Sequence, residues 1–374
     1  GLGGSTKDAL ANMTDASASV TVGFKTEKTE ASSQTSTAMT GTMKAGRAIN
    51  IQAHKGSIHG IGSDIIAGTN PVYTNDEKSG NINLGAGKDI IFESAQNTQS
   101  TQNRSESASV NVGYSYGTGG AGGTGNASFS QGEGSSEEVH HKNSHVISTS
   151  TVHTNSGEHT TLSGAVVSGN QVKVDVGGSL TITSRSDTGQ TSNKQKSASV
   201  GFGGSKSFDA GSTSLSLQKD QSSSDYHSVV EQSGIKAGDG GFDITVKNQT
   251  TMTGGLISST APANKNSLTT GTISTSDITN SASAQASSHG FSLSGNDTIK
   301  NLAKNALSHG KAKDAAEGET KSAISDGTII LTDATNKRAM GQDAGQIIAS
   351  LNRNTAAANQ TVAPIDATSL EGVV

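Results

Sequence analysis

At 374 residues the chain is long enough for two or three globular domains or for one elongated repeat array. Leu, Ile, Val and Phe together supply less than a fifth of it, too little for ordinary globules, yet a formal net charge of −5 is too small for disorder. Zero cysteines exclude disulfides, thiolate metal centres and cysteine nucleophiles, and scattered Lys and Arg without a basic stripe argue against a nucleic-acid partner.

Internal repetition dominates the chain, and it is the first thing to read in such a composition. Ser17 to Phe24 (SASVTVGF) returns 90 residues later as Ser107 to Tyr114 (SASVNVGY), and again as Ser197 to Phe202 (SASVGF). A faded copy runs from Ser281 to Ala284. Valines and an aromatic alternate with polar residues, which predicts strands with one face buried. A second unit sets glycine before alternating apolar residues: Gly46 to Ile51, Gly87 to Phe92, Gly177 to Ile182, and Ala237 to Val246 with one extra residue. Here glycine is expected to supply the positive φ of a tight corner. A third unit pairs Leu162-Ser163-Gly164 with Met252-Thr253-Gly254.

Short strands between glycine corners predict coils that stack at strand spacing, because one coil cannot bury its own inner face. At about 20 residues per coil, residues 1–295 make roughly 15 coils. Gly117 to Gly134 is glycine-rich and reads as a flexible loop leaving the coil. Asn75 to Ser79 and Asn264 to Asn266 are smaller polar excursions. After Gly295 the period changes. Asp297, Ile299, Leu302, Ala303, Ala306 and Leu307 predict a capped helix ending at Gly310, followed by a Lys/Ala/Glu linker. A strand at Thr328 to Thr332 and a second short helix at Ile347, Ile348 and Leu351 complete the tail. A boundary falls near 296. No apolar run approaches the ~18 residues of a membrane-spanning helix.

Motifs for chemistry are few. Gly117 to Gly122 spells a dinucleotide fingerprint in letters, without the strand-turn-helix setting that aims a helix at phosphate. Five histidines gather at His140, His141, His145, His153 and His159, with Glu137, Glu138 and Glu158 nearby. Imidazole and carboxylate suit Zn²⁺, but solvent-facing polar positions explain the group more simply, and no metal or cofactor is assigned. Polysaccharide-cleaving enzymes of coiled β architecture need clustered carboxylates. Asp175, Asp187, Asp209, Asp220, Asp225, Asp239 and Asp243 are spread out instead, so no catalytic residue and no small-molecule substrate are assigned.

The stretch Tyr226 to Val246 (YHSVVEQSGIKAGDGGFDITV), continuing through Gly254, Ile257 to Thr260, Lys265-Asn266 and Thr270-Gly271, resembles the hemagglutinin repeat. That repeat occurs in two-partner secretion exoproteins, a group including filamentous hemagglutinins and contact-dependent growth inhibition toxins. Thr320 to Leu331, Leu351 to Thr355 (LNRNT) and Ala358 to Ile365 (ANQTVAPI) resemble the region downstream of the last such repeats in growth-inhibition exoproteins.

The expected fold is an all-β, right-handed parallel β-helix over 1–295, with a helix, linker and strand segment over 296–374 leading toward a C-terminal pretoxin and toxin region outside these residues. The resemblance implies a secreted, cell-surface location in a Gram-negative bacterium, with the target-cell outer membrane or periplasm reached during delivery. It implies an outer-membrane two-partner secretion transporter and the target-cell envelope as partners, and an immunity protein only for the toxin domain. The expected role is a non-catalytic filament segment that helps deliver a C-terminal toxin to neighbouring bacteria on contact. The alternatives are an adhesin filament on host surfaces and a polysaccharide-acting enzyme.

Overall fold

The computed structural model describes residues 18–69, 79–117, 120–205, 212–295, 307–333 and 343–371. Its strands form two sheets of different kinds. Short strands pair in parallel and curl around a common core, while long strands form a seven-stranded antiparallel sheet.

In chain order, the long strand β1 (Ala18–Ser36) leads into a first pass of β2 (Thr42–Ala45), β3 (Ile49–Ala53) and β4 (Ile58–Ile61). A second pass follows as β5 (Asp64–Ala67), β6 (Ile82–Ala86) and β7 (Ile90–Glu93). The chain then leaves along β8 (Ala95–Gly117) and returns along β9 (Gly120–Lys142). The third pass is β10 (Ser144–Ser148), β11 (Thr151–Ser156) and β12 (Thr160–Ser163), and the fourth is β13 (Ala165–Val176) and β14 (Leu180–Thr183). A second long pair, β15 (Asp187–Ser205) and β16 (Ser212–Ser228), comes next. The fifth pass is β17 (Gly234–Thr253), and the sixth is β18 (Leu256–Ser259) and β19 (Ser267–Ser276). The third long pair is β20 (Ile278–Gly295) and β21 (Leu307–Thr320), before short β22 (Ala323–Ile324) and β23 (Thr328–Leu331).

Two passes and one long pair therefore make the 90-residue unit. Inward positions stack pass on pass. Met43, Ile65, Val146, Val167, Ile235, Ile257 and Ile324 stand in one register column. Ile51, Leu84, Thr154, Val174, Ile244, Leu268 and Ile329 form a second. Phe92, Leu162, Ile182 and Met252 belong to a third. Most of these side chains are fully buried, so the core is a thin apolar column. Each pass takes its apolar cover from its neighbours, and few large apolar residues therefore suffice.

Several expectations are corrected by this arrangement. The SASV copies do not lie in the parallel stack. Those at 18–24 and 107–114 run in opposite directions and pair directly, with Val20 opposite Tyr114 and Val22 opposite Val112. The copy at 197–202 occupies the same row as 108, since Ala108 and Ala198 both stand opposite Phe129. The faded copy at 281–284 sits near the base of β20, and Phe291 is the residue in the Ala198 row, across Leu217. Because the long pairs divert so many residues, the passes are far fewer than a 20-residue coil length predicts.

From Gly120 to Gly134 the glycine-rich run is strand rather than flexible loop: all of β9 pairs with β8 on one side, and most of it with β15 on the other. Its glycines make room for neighbours. A Cβ on Gly125 would fall 2.3 Å from the Phe202 ring, so the aromatic lies over bare backbone. Gly87 and Gly177 are not among the positive-φ glycines; the left-handed ones include Gly164 (φ 72°) and Gly254 (φ 55°). Gly87, Gly157 and Gly177 instead stack in successive passes, where a Cβ on Gly157 would meet the Gly87 carbonyl at 2.2 Å and one on Gly177 the Gly157 carbonyl at 2.1 Å.

Residues 296–306, which hold most of the helix expected from Asp297 onward, lie outside the described residues, as do positions 75–78 of the first polar excursion. Leu307 and Gly310 belong to strand β21, and the Lys/Ala/Glu stretch is the rest of that strand, paired along β20. Pairing with an available strand edge overrides the weak strand propensity of Ala, Lys and Glu. The strand expected at Thr328 is β23, and the second helix spans Ala344–Ser350, opened by a capping box between Asp343 and Gln346. Ile347 and Leu351 join the main core, closing the last pass. Asn359 then bridges to Thr320, and the Val362 amide donates to Ser228 Oγ, so the tail is tied to the base of the antiparallel sheet.

Candidate functional site

The five histidines are dispersed by the fold and paired one by one. His145 sits on the third pass with Nδ1 3.0 Å from Asp64 and Nε2 2.8 Å from Glu231. His140, at the base of β9, lies 3.2 Å from Asp187 and 3.4 Å from Glu138. His153 meets Asp175 at 2.9 Å, His141 meets Ser94 Oγ at 2.8 Å, and His159 Nδ1 accepts the Ser179 amide. Among the described residues, no three His, Asp or Glu side chains come together in a way that holds a metal ion. Hydrogen bonds donated to Glu231 and Asp64 raise the His145 pKa against its burial, and those donated to Asp187 and Glu138 raise that of His140. Burial lowers that of His141. His140 thus joins β9 to β15 at their bases, and His145 joins the stack to the segment that follows β16.

Gly120 to Gly122 of the dinucleotide-like letters open strand β9, so no helix N-terminus follows them. The spread carboxylates do local work: Asp175 and Asp187 hold histidines, Asp239 accepts from Thr260, and Asp243 accepts from Ser267. Asp209 lies outside the described residues.

The antiparallel sheet, ordered β1-β8-β9-β15-β16-β20-β21, is the more unusual surface. Its register is unbroken, so directly opposed residues share a face and the two faces can be read row by row. One face is polar throughout its outer half. One of its rows runs Lys25, Ser109, Ser128, Ser199, Ser216 and Ser292 across six strands. The opposite face carries, row by row from the tips, Val20 with Tyr114; Val22, Val112 and Phe202; Phe24, Val110, Val200, Leu215 and Leu293; and Phe129, Leu217 and Phe291. Phe24 is 80% exposed, Val112 56% and Phe202 56%, so the apolar face is uncovered. Four such rows, two residues apart, give a band roughly 20 Å tall.

Below the band on the same face comes a row of Lys28, Glu106, Gln131, Lys196, Lys219, His289 and His309. The next row holds Glu30, Arg104, Glu133, Lys194, Gln221, Ser287 and Lys311. The apolar band and its charged border were legible only as period-two strands in sequence. Their alignment across strands needed the register.

No described helix is long and apolar enough to cross a membrane. Residues 22–200 match the hemagglutinin-repeat family. The chain is 37% identical over 372 residues to "tRNA nuclease CdiA" of Escherichia coli strain NC101, a match covering 95% of this chain and 11% of that protein. Residues 22–200 are thus a hemagglutinin-repeat region, and the chain is homologous to the CdiA contact-dependent growth inhibition proteins. It is also 35% identical over 358 residues to "16S rRNA endonuclease CdiA" of Enterobacter cloacae, covering 93% of this chain and 10% of that protein. A third relative, "Deoxyribonuclease CdiA" of Yersinia pseudotuberculosis serotype O:3, is 33% identical over 328 residues, covering 86% and 29% respectively. This hemagglutinin-repeat chain thus spans from a tenth to under a third of the length of these relatives. No solved structure matches it.

Proposed function

We propose that this hemagglutinin-repeat chain is a non-catalytic segment of a secreted, cell-surface exoprotein of a Gram-negative bacterium, and that it helps carry a C-terminal toxin across the envelope of a touched neighbour. The parallel stack, read as a right-handed parallel β-helix, is the shaft. The antiparallel sheet is the part that engages the target bilayer. The observation that carries this reading is the open apolar band, roughly 20 Å tall and bordered by charge, on a sheet whose other face is Ser- and Gly-rich. Such two-faced strands are what a bilayer-crossing sheet requires. Phe24, Tyr114, Phe129, Phe202 and Phe291 supply its aromatics, with Tyr116 one row further out at the tip.

Relatives named for tRNA, 16S rRNA and DNA as nuclease targets share this one segment. A region common to three different activities supports a shared delivery role rather than any one of the chemistries. Export through an outer-membrane two-partner secretion transporter belongs to the same reading, as does an immunity protein for the toxin alone. The repeat region is read over 1–295 and the segment leading toward the toxin over 296–374, with β21, β22 and β23 extending both sheets past 295.

The test is made in the parent exoprotein. Val112→Asp together with Val200→Asp places charge in the band without touching the buried stack. Export and cell attachment should persist while toxin delivery in competition assays is lost. Full delivery at normal attachment would overturn the reading and leave the sheet a spacer.

A further inference from the structure

The charged border of the apolar band is not symmetrical. On the β1-β8-β9 half the signs alternate and neutralise one another: Lys28 lies 2.7 Å from Glu30, and Arg104 lies 2.7 Å from Glu106. Across the remaining strands the same face carries Lys194, Lys196, Lys219, Lys311 and Lys313, all exposed. Lys194 has Glu133 opposite it, but no ion pair within 4.0 Å forms there among the described residues. Lys196 stands directly opposite Lys219. Like charges directly opposed destabilise a strand pair, so this juxtaposition costs the free protein something. His289 is next in the row, opposite Lys219, and faces His309 with ring centroids 4.2 Å apart. A trough of about 390 Å³ runs beneath them, flanked by Lys194 on one side and Lys311 and Lys313 on the other.

The geometry points to a docking surface for phosphate-bearing headgroups of a bilayer, held by Lys194, Lys196, Lys219, Lys311 and Lys313 while the adjoining apolar band meets the acyl chains. This rests on the bilayer reading proposed above and adds the class of lipid to it. The occupant is an anionic lipid because cation excess and apolar rows lie side by side on one face. A soluble anion would satisfy the lysines alone and leave Val200, Leu217 and Phe202 in water. An anionic surface attracts adjacent lysines by roughly a fivefold gain in affinity each, and it relieves the Lys196–Lys219 repulsion at the same time.

The test uses the 374-residue chain and two kinds of vesicle, phosphatidylcholine alone and phosphatidylcholine mixed with phosphatidylglycerol. Lys196→Gln, Lys219→Gln and Lys311→Gln combined should weaken binding to the anionic vesicles on the order of a hundredfold. Added salt should narrow that gap. The same three positions changed to Arg should retain binding, and Lys25→Gln on the opposite face should change nothing. The melting temperature of the Gln variant should equal or exceed the parent's, because an opposed like-charge pair is removed. A lower melting temperature would contradict the charge argument. Equal binding of both vesicle types by parent and variant would overturn the headgroup assignment while leaving the bilayer reading intact. Binding to neither type would overturn the bilayer reading itself. Displacement of the chain from vesicles by inorganic phosphate at matched phosphate concentration would reassign the lysines to a soluble anion.

Discussion

His145 stands between two carboxylates distant in sequence, with Asp64 3.0 Å from Nδ1 and Glu231 2.8 Å from Nε2. Asp64 belongs to the second pass, and Glu231 follows β16 as the chain returns to the stack. One imidazolium therefore ties three separate parts of the chain together, and Lys142 Nζ adds a further contact to Asp64 at 2.9 Å.

That bracket has a pH signature. Hydrogen bonding by Glu231 and Asp64 raises the His145 pKa, and Asp187 and Glu138 raise that of His140. A raised folded-state pKa contributes stability that is fully present below the unfolded value of about 6.5 and declines as pH rises through the higher folded value. The Glu231 pKa is lowered mainly by His145. At Asp64, burial pushes upward but Lys142 and His145 outweigh it and lower the value. Their share is present above the ordinary carboxylate range and is lost on acidification. His141 opposes the other two, because burial lowers its pKa and its protonation disfavours the fold at acid pH. Melting temperature should thus fall from about pH 6 to about pH 8, and His145→Gln should flatten much of that slope. An unchanged slope in the variant would show that His145 does not set it.

The stacked glycines act by close approach rather than by special φ. Gly157→Ala would drive a Cβ into the Gly87 carbonyl, and an overpacked position of this kind costs about 1–3 kcal/mol. Gly41→Ala, with nothing within 4 Å of the new methyl, should be close to neutral. Urea unfolding of the two variants decides the matter, and equal stabilities would contradict the stacking argument.

Thr154 occupies a core position between Leu84 and Val174, and its buried hydroxyl has no hydrogen-bond partner. Thr154→Val keeps the shape and removes an unpaired polar group, so it should stabilise the protein by about 1–2 kcal/mol. A loss of stability on thermal unfolding would mean that the hydroxyl is satisfied in solution.

Much of this was legible in the chain, and the failures have physical causes. The shared inward column of Leu162 and Met252 was visible because alternation and glycine spacing repeat in step with the passes. The long strands were misplaced because period two reports only that a strand exists, not whether its partner runs parallel or antiparallel. SASVTVGF and SASVNVGY look like translated copies, yet Val22 and Val112 are antiparallel neighbours. The run from Gly117 reads as loop because glycine is poor in strands, whereas Gly125 is a strand position kept bare by Phe202. The lysine border was invisible for the same reason as the band. Lys196 and Lys219 are far apart in sequence and meet only through the register.

The proposed engagement of the bilayer is one-sided: the apolar face of the antiparallel sheet meets the lipid while the other face does not. The chain has no cysteine, so a single one can be placed and labelled with an environment-sensitive fluorophore at either of two adjacent positions on β8. Val112→Cys puts the label on the apolar face, and Asn111→Cys puts it on the polar face. On adding anionic vesicles, the label at 112 should brighten, shift to the blue and be quenched by lipid-borne quenchers, while the label at 111 stays responsive only to aqueous quenchers. Identical behaviour at the two positions, or no response at 112, would contradict a one-sided insertion.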